Sequence, residues 1–549
     1  MWGRLGKWVV WLLVWSMRLT VWPYSRILSF FRKKTPLPAI DNNLLLHSAT
    51  SLAEKIRNRE IGCEDVVQAY IARIKAVNPE LNCVVQDRFE QALQEARKVD
   101  LQLAAGTMTE ERMKDERPLL GVPITVKESI ALKGMSHNSG RVKPKQRVAT
   151  EDASFVRRLK EAGCIPLLVS NTPEVCMCWE TFNNVTGRTN NPYDPRRTPG
   201  GSSGGEAALL GAGASVIGLA SDIGGSGRLP ALYCGVYGHK PTPGYIGIDG
   251  HIPVSEDESW GNFFSIAPMC RYAEDLPLYL HSISDPTKRE NLRLKQPVDL
   301  KTVKIFYIEE DPSILADRVH PEIKTSMRKA VAHFANKFNV IAQEIKIKEL
   351  EEVYQVAGVV MLRMKSCNSV YQKTEDNPAE WNSVLWTYIK YIFGFTEHTH
   401  PPLIYGPIKK YADSISEKEF SEMLELKRTL MQKFDEMLGD DGVFLYPTFN
   451  DLANFHQQFY YKLLNTSYFT LFNLIELPAC SCPTGLAKDG RPVGFQVAAN
   501  KHQDRLVFAV AKELESAFGG WVPPPSIPPQ EKEAAPNSKQ ALDKVTIQG

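Results

Sequence analysis

The chain has 549 residues, with 65 Lys and Arg against 63 Asp and Glu, so its formal net charge is only +2. A hydrophobic content of 43% and a charged content of 23% are typical of a folded protein and exclude global disorder. The near-neutral balance argues against a nucleic-acid partner, and ten Cys in a chain of this length do not make a disulfide framework.

The first 34 residues differ sharply from the rest. They hold seven basic and no acidic residues, and five of the ten Trp lie before residue 23. An apolar run over 8–17, WVVWLLVWSM, is shorter than the roughly 20 residues that a spanning helix needs, but it continues to Phe31 with only Arg18 and Arg26 as charged interruptions. Three interpretations stay open: a single-pass span, a Trp-rich helix lying in the membrane interface, or a cleaved secretory signal. All three predict that residues 1–34 are a membrane segment.

Beyond a short linker at 35–40, apolar residues at helical spacing predict a helix around 66–74 that ends at Asn78-Pro79. A second helix is expected over 89–105, and the charged stretch 107–117 is expected to be an exposed loop.

Strand-like runs then alternate with helical patterns, which predicts an α/β fold. The runs are at 119–126, 165–169, 303–307, 477–482 and 493–498, and the helical patterns include 322–338 and 418–438. We assign residues 35–521 to one catalytic domain. The Pro-rich, polar tail 522–549 is expected to be disordered.

Two glycine-rich segments carry the chemistry. GGSSGG at 200–205 places two serines just ahead of a helix-forming run, where backbone N–H groups favour an anion. DIGGSGR at 222–228 follows an apolar strand-like run, and its N–H groups could hold a developing oxyanion beside Ser226. The G-x-x-x-x-G-K-[ST] pattern is absent from the sequence, which argues against a nucleotide P-loop.

A serine nucleophile needs a base. In GVPITVK at 121–127, apolar residues alternate so that Lys127 ends a half-buried strand. Burial could remove the Lys127 proton by lowering its pKa, although a strand-end lysine that reaches solvent is the simpler interpretation of this segment alone.

Taken together, these segments resemble the amidase signature family. The resemblance implies a mixed, twisted β-sheet covered by helices on both faces, and a Ser–Ser–Lys triad with Ser226 as nucleophile, Ser202 as bridging serine and Lys127 as base. The spacings agree, with 75 residues from Lys127 to Ser202 and 24 from Ser202 to Ser226. Further matches at 190–193 (NNPY), 238–242 (GHKPT) and 492–498 (PVGFQVA) extend the resemblance over almost all of 37–521.

The resemblance also implies roles for the neighbours of the triad, and it implies neither a metal nor a cofactor. The expected oxyanion donors are the backbone N–H groups of Ile223, Gly224, Gly225 and Ser226. The residues expected to support the loop are Ser203, Asp222 and Arg228. One departure is Gly227, where family members commonly carry a bulky apolar residue, and this puts the preorganisation of the turn in question.

Within the family, the leader and several body segments are most similar to members that hydrolyse lipid amides. We therefore expect a membrane-associated serine hydrolase, at an endomembrane such as the endoplasmic reticulum or a lipid droplet, that cleaves N-acylethanolamines and primary fatty amides through an acyl-enzyme. A homodimer is left open. Aromatic and Met-rich stretches at 354–364, 386–395 and 458–472 could line an acyl channel or form plain helix core.

Three alternatives remain. The chain could be an amidase or esterase for other small acyl substrates, or a lipid-binding pseudoenzyme, which only Gly227 favours. Residues 200–204 also satisfy G-x-S-x-G, the nucleophile elbow of another hydrolase class, which needs a catalytic His and a strand leading into Ser202. Residues 190–199 read instead as a loop. The pairs Cys176/Cys178 and Cys480/Cys482 lack zinc-site spacing and are expected in the core.

Overall fold

The structure is a computed structural model that describes residues 4–106, 109–142, 146–365, 367–374, 377 and 379–527. The strands in this part of the chain are β1 Leu37–Pro38, β2 Val84–Asp87, β3 Pro123–Lys127, β4 Ile165–Ser170, β5 Phe182–Asn183, β6 Gly187–Arg188, β7 Ile217–Asp222, β8 Tyr237–Lys240, β9 Ser265–Cys270, β10 Lys304–Tyr307, β11 Gln343–Glu344, β12 Gly442–Tyr446, β13 Ala479–Leu486, β14 Pro492–Ala499 and β15 Ser526–Ile527.

The α-helices are α1 Arg4–Phe31, α2 Ala49–Arg57, α3 Cys63–Leu81, α4 Phe89–Ala105, α5 Glu110–Glu116, α6 Ser154–Glu161, α7 Gly204–Gly211, α8 Arg228–Cys234, α9 Trp260–Phe263, α10 Asp275–Ile283, α11 Pro321–Phe338, α12 Val353–Leu362, α13 Val384–Ile392, α14 His400–Ser414, α15 Glu417–Leu438, α16 Ser467–Leu474 and α17 Asp504–Phe518.

Eleven strands form one mixed sheet in the order β11-β10-β12-β14-β13-β8-β9-β7-β3-β4-β2. Pairing is parallel from β7 through β3 to β4, and again from β11 through β10 to β12. The strands between β12 and β7 pair in antiparallel fashion. Every residue of β3, β4 and β7 is buried, so helices and loops cover both faces of the sheet there. The predicted α/β sheet with helices is confirmed.

Most predicted elements agree closely with the observed ones. The five predicted strands correspond to β3, β4, β10, β13 and β14. The helix predicted over 89–105 has those bounds as α4. Strong apolar periodicity predicts these elements, because the helix buries one apolar stripe and the strands bury one or both of their faces.

Two local predictions were wrong. The stretch 107–117 contains helix α5, since the Thr109 hydroxyl accepts from Arg112 N–H, Arg112 pairs with Glu116 at helical spacing, and Met113 is buried. Helix α3 also continues through Pro79 to Leu81. Proline interrupts only one backbone hydrogen bond in this last turn, which is close to the helix end and therefore tolerates it.

The basic leader forms helix α1, which packs on the catalytic body. Gln458 Nε2 donates to Ser25 Oγ over 3.0 Å, and Arg18 pairs with Asp317 at 2.7 Å. None of the helices among the described residues has the length and apolar character to cross a bilayer. The single-pass interpretation is thus not supported, because Arg18, Pro23 and Arg26 interrupt the apolar run of α1.

The start of the catalytic domain meets the beginning of the tail. Strand β1, within the predicted linker, pairs in parallel with β15, so Leu37 lies beside Ser526 and Pro38 beside Ile527. The prediction of disorder over 522–549 was wrong at its start, because Ser526 and Ile527 form β15 against β1, and residues 528–549 lie outside the described residues.

Candidate active site

Strand β3 delivers Lys127 to the centre of the molecule. The strand lies between β4 and β7, and its last residue, Lys127, is fully buried. Lys127 Nζ lies 2.7 Å from Ser202 Oγ and 3.0 Å from Ser221 Oγ. Burial lowers the pKa of Lys127 below its usual value, because an ammonium group loses its hydration there. The structure thus brings together the predicted base and the predicted bridging serine.

Ser202 lies on a tightly held loop. The peptide bond between Gly201 and Ser202 is cis. A side chain at residue 201 would put its Cβ 2.5 Å from the Cys178 carbonyl oxygen, so only glycine fits. Thr172 Oγ1 donates to the Ser202 carbonyl oxygen over 3.1 Å, and Thr181 Oγ1 donates to that of Gly200 over 2.9 Å. These contacts fix the loop just before α7 begins at Gly204.

The turn between β7 and α8 is organised around Asp222. Its carboxylate accepts from the backbone N–H groups of Gly225 and Gly227, at 2.8 and 3.2 Å. It also pairs with Arg228 through two N–O contacts of 3.0 Å, and both side chains are fully buried. Burial alone would raise the pKa of Asp222, but Arg228 and these donors hold it at about 2. The predicted supporting role of this pair agrees with these contacts.

Ser226 lies in the same turn and is 5% exposed. The Ser203 N–H donates to the Ser226 carbonyl oxygen over 3.2 Å, which joins the two glycine-rich segments. Of the four predicted oxyanion donors, the Gly225 N–H is engaged by Asp222, which leaves those of Ile223, Gly224 and Ser226 for a ligand. On the other side of the turn, Trp179 Nε1 donates to the Gly224 carbonyl oxygen over 2.8 Å.

Gly227 adopts an ordinary helical conformation, with φ −95° and ψ −43°. A Cβ at this position would lie 2.8 Å from the Cβ of Ala267 on β9. The methyl group of Ala267 therefore occupies the space that a larger residue 227 would use. The small residue at 227, which departs from the family pattern, is thus matched by the Ala267 side chain. Asp222 still accepts a hydrogen bond from the Gly227 N–H.

A narrow aromatic cavity lies against this turn. Its walls are Trp179, Thr198, Leu229, Tyr233, Phe449, Asn454, Phe459, Lys462, Leu463, Thr466 and Phe469. Phe469 packs so closely on Gly225 that a Cβ there would lie 2.3 Å from the ring. Of the three candidate channel stretches, 458–472 contributes to this cavity. Residues 354–364 pack mainly in the core, and several residues of 386–395 are exposed.

Several site residues were not predicted from the sequence. Ser221 and Trp179 are examples: Ser221 is the last-but-one residue of β7, and Trp179 follows the Cys176/Cys178 pair. Cys178, Cys480 and Cys482 are buried as predicted. Cys176, by contrast, is only partly buried and lies by the active site, 3.4 Å from Thr172 Oγ1. Only tertiary contacts bring these side chains to the predicted site residues.

The nucleophile-elbow alternative does not match the structure. Residues 190–199 contain neither helix nor strand, apart from an isolated β-bridge between Arg197 and Phe455. Ser202 therefore lacks the strand that an elbow requires.

Comparison with known proteins agrees with this geometry. The Amidase family model matches residues 65–508. Fatty-acid amide hydrolase 2-A of Danio rerio is 40% identical over 528 residues, 95% of this chain and 97% of that protein. Fatty-acid amide hydrolase 2 of Homo sapiens is 39% identical over 498 residues, 90% of this chain and 93% of that protein.

Solved structures share the fold. A structure of fatty acid amide hydrolase superposes with a TM-score of 0.66 at 23% identity, covering 87% of this chain and 86% of that one. A 6-aminohexanoate cyclic dimer hydrolase complexed with substrate gives 0.68 at 23% identity, covering 86% and 97%.

Proposed function

The chain belongs to the amidase signature family and is an amidase that acts on amide C–N bonds, and we propose that it is a membrane-associated fatty-acid amide hydrolase with a Ser–Ser–Lys triad. The observation that carries the proposal is the buried 2.7 Å contact between Lys127 Nζ and Ser202 Oγ. Burial favours the neutral amine, which is the form that a general base requires.

We propose the following catalytic steps for these residues. Neutral Lys127 accepts the Ser202 proton while Ser202 accepts that of Ser226, and Ser226 Oγ attacks the amide carbonyl carbon. The free N–H groups of the turn stabilise the oxyanion. The proton then returns through Ser202 to the leaving nitrogen, because an amine anion is a poor leaving group. Water hydrolyses the acyl-enzyme by the same relay.

The aromatic lining supports an apolar acyl group, and the cavity of about 20 Å³ would have to widen to hold a long one. It adjoins the oxyanion turn through Phe469, and it reaches the 458–461 segment through Phe459. Helix α1 packs on that segment through Ser25, and Arg18 lies over the Tyr461 ring at 5.2 Å. An acyl chain in the cavity would thus leave the catalytic domain beside α1. The relatives of about 40% identity carry a fatty-acid amide in their names, which agrees with this assignment.

Exposed apolar side chains support a monotopic attachment. On α1, the apolar side chains of Leu13 and Leu19 are 60% and 57% exposed. On and after α13, Leu385 and Phe393 are 71% and 68% exposed. His400 joins the two regions, since it stacks near Tyr391 of α13 and contacts the Tyr460 hydroxyl at 3.2 Å. We therefore place both apolar surfaces in one membrane interface, with the basic residues of the leader near the headgroups.

The reaction is tested by hydrolysis of oleamide, an N-acylethanolamine and short-chain amides in detergent micelles. Lys127→Met should remove nearly all turnover. Lys240→Met is the matched control, because Lys240 is also fully buried at a strand end and burial lowers its pKa to about 7, yet its amine donates to the Pro241 carbonyl oxygen rather than to Ser202. Preference for short amides would reject the fatty-amide assignment, and turnover by Lys127→Met would reject the triad.

Membrane attachment is tested by sedimentation with vesicles that contain anionic phospholipid. Replacing Leu13 and Leu19 by serine should lower the bound fraction. Leu101→Ser is the control, because Leu101 is 70% exposed on α4 and belongs to neither apolar surface. Equal binding by all variants would reject an interfacial α1.

A further inference from the structure

A buried histidine lies behind the Lys127 amine. Ser221 Oγ, which is 3.0 Å from Lys127 Nζ, is also 2.9 Å from His251 Nε2. His251 is 4% exposed and Ser221 is 2% exposed, so water has little access to these contacts. The proposed steps of amide hydrolysis do not use His251, and it lies outside the glycine-rich segments.

The second ring nitrogen determines the direction of each hydrogen bond. His251 Nδ1 lies 2.8 Å from the Pro253 carbonyl oxygen, which can only accept. Nδ1 therefore carries the hydrogen, and in a neutral imidazole Nε2 is then an acceptor. Nε2 then accepts from one of two hydroxyls, Ser221 Oγ at 2.9 Å or Ser129 Oγ at 3.1 Å, and we take the shorter contact, from Ser221, as the hydrogen bond. The His251 ring is held in place by Phe264, at 4.6 Å between ring centroids.

This direction constrains the lysine. A neutral amine has two N–H donors and one lone pair. Because the Ser221 hydrogen is directed to His251, the Ser221 oxygen can accept a Lys127 N–H but cannot donate to the lone pair. The second N–H can go to Cys176 Sγ, which interacts with the Lys127 amine, so the lone pair stays available for the proton of Ser202, at 2.7 Å. Without an acceptor at Nε2, the Ser221 hydroxyl could rotate and compete with Ser202.

We propose that His251 is a positioning residue of the amidase reaction, which reserves the Lys127 lone pair for Ser202 by orienting the Ser221 hydroxyl. This inference rests on the proposed role of Lys127 as base. It requires His251 to be neutral, because a protonated Nε2 would donate to Ser221 and reverse the orientation. His251 also lines a cavity of about 420 Å³. The titratable groups that face His251 or line this cavity are Lys127, Cys176, His137, Arg141, Arg147 and Asp249.

The test compares two replacements of His251. In His251→Gln, an amide oxygen can accept near the position of Nε2 and cannot titrate. In His251→Leu, a side chain of similar bulk has no acceptor. We expect His251→Leu to lower kcat about tenfold or more at the optimum pH with KM changed less than about twofold, as loss of general-base alignment would. His251→Gln should restore most of the loss.

The pH profile separates positioning from a structural role. In His251→Leu the freed Ser221 hydroxyl donates to neutral Lys127, which favours the neutral amine and moves the acidic limb of kcat/KM to lower pH. His137→Leu is the matched control, since His137 is equally buried and lines the same cavity but contacts the Ser129 carbonyl instead. It should leave the position of the limb unchanged.

A double-mutant cycle completes the test. If His251 acts through Ser221, His251→Leu should have little further effect on kcat in a Ser221→Ala background. Equal losses in His251→Gln and His251→Leu, an unmoved limb, or additive effects in the cycle would overturn the proposal. Should His251→Leu fail to fold, the same cycle is built with His251→Gln and Ser221→Ala. The acidic limb of kcat/KM is then compared among the wild type, the two single variants and the double variant. Turnover by Lys127→Met would instead overturn the proposed function itself.

Discussion

Replacing Gly227 by alanine should disturb the Ser226 turn through a single packing contact. The new Cβ would lie 2.8 Å from the Ala267 Cβ, whereas carbon atoms pack favourably at about 3.5–4.0 Å. The two Cβ atoms must therefore move apart by about 1 Å. The backbone of Gly227 is helical, so alanine introduces no conformational strain and the clash alone is tested. Overpacking of this kind costs about 1–3 kcal/mol of stability.

The same movement should reach the catalytic centre. Gly227 directly follows Ser226, and its N–H is fixed by Asp222, so the displacement is shared by the proposed nucleophile and the proposed oxyanion donors. A misplacement of about 1 Å can reduce turnover about 10²-fold. Stability is measured by denaturant unfolding, and turnover by initial rates on a fatty amide with active-site titration.

The compensating change is Ala267→Gly, which removes the opposing methyl group. Alone it should cost about 0.5–1 kcal/mol, as glycine does within a strand. Combined with Gly227→Ala, it should restore stability and most of the rate, so that the two changes are strongly non-additive. Full activity of Gly227→Ala alone, or no rescue in the double variant, would refute the matched packing of residues 227 and 267.

Three other predictions follow from buried charges. Arg228→Met should lower the free energy of unfolding by about 3–5 kcal/mol, because it leaves Asp222 charged and buried without its partner. A loss below about 1 kcal/mol would contradict the stabilising role of the Asp222–Arg228 ion pair. Burial raises the pKa of Glu206 from 4.5 to about 7, so the folded state keeps a proton that the unfolded state releases. The free energy of unfolding should therefore fall as pH rises from 4.5 through 7. Glu206→Gln should flatten that dependence in denaturant titrations. Because burial lowers the pKa of Lys127, the acidic limb of kcat/KM should lie below the ordinary lysine value of about 10.4.

Much of the fold could be predicted because apolar periodicity is local. The strands β3 and β4 and the helix α4 each bury a continuous pattern, and their bounds were predictable within a few residues. Helix α5 was missed because its sequence is charged. A single buried Met113 and a Thr109 cap are weak signals when the segment is considered alone.

Lys127, Ser202 and Ser226 could be proposed as a triad because the segments that hold them resemble the amidase signature family. Ser221 and His251 could not be predicted, since their roles depend on a chain of contacts between β7 and a distant loop. The packing of Gly227 against Ala267 joins neighbours that are 40 residues apart in sequence. Tertiary contacts of this kind leave no periodic pattern in the sequence.

The central claim is that Ser226 is the nucleophile and that Lys127 activates it through Ser202. The most direct measurement is labelling of the full-length protein with an organyl fluorophosphonate, followed by peptide mapping by mass spectrometry. We expect a single label on Ser226, at a rate that falls strongly in Lys127→Met and stays near wild type in Lys240→Met. A label on Ser202 or Ser203, no label at all, or labelling that is indifferent to Lys127 would contradict the account.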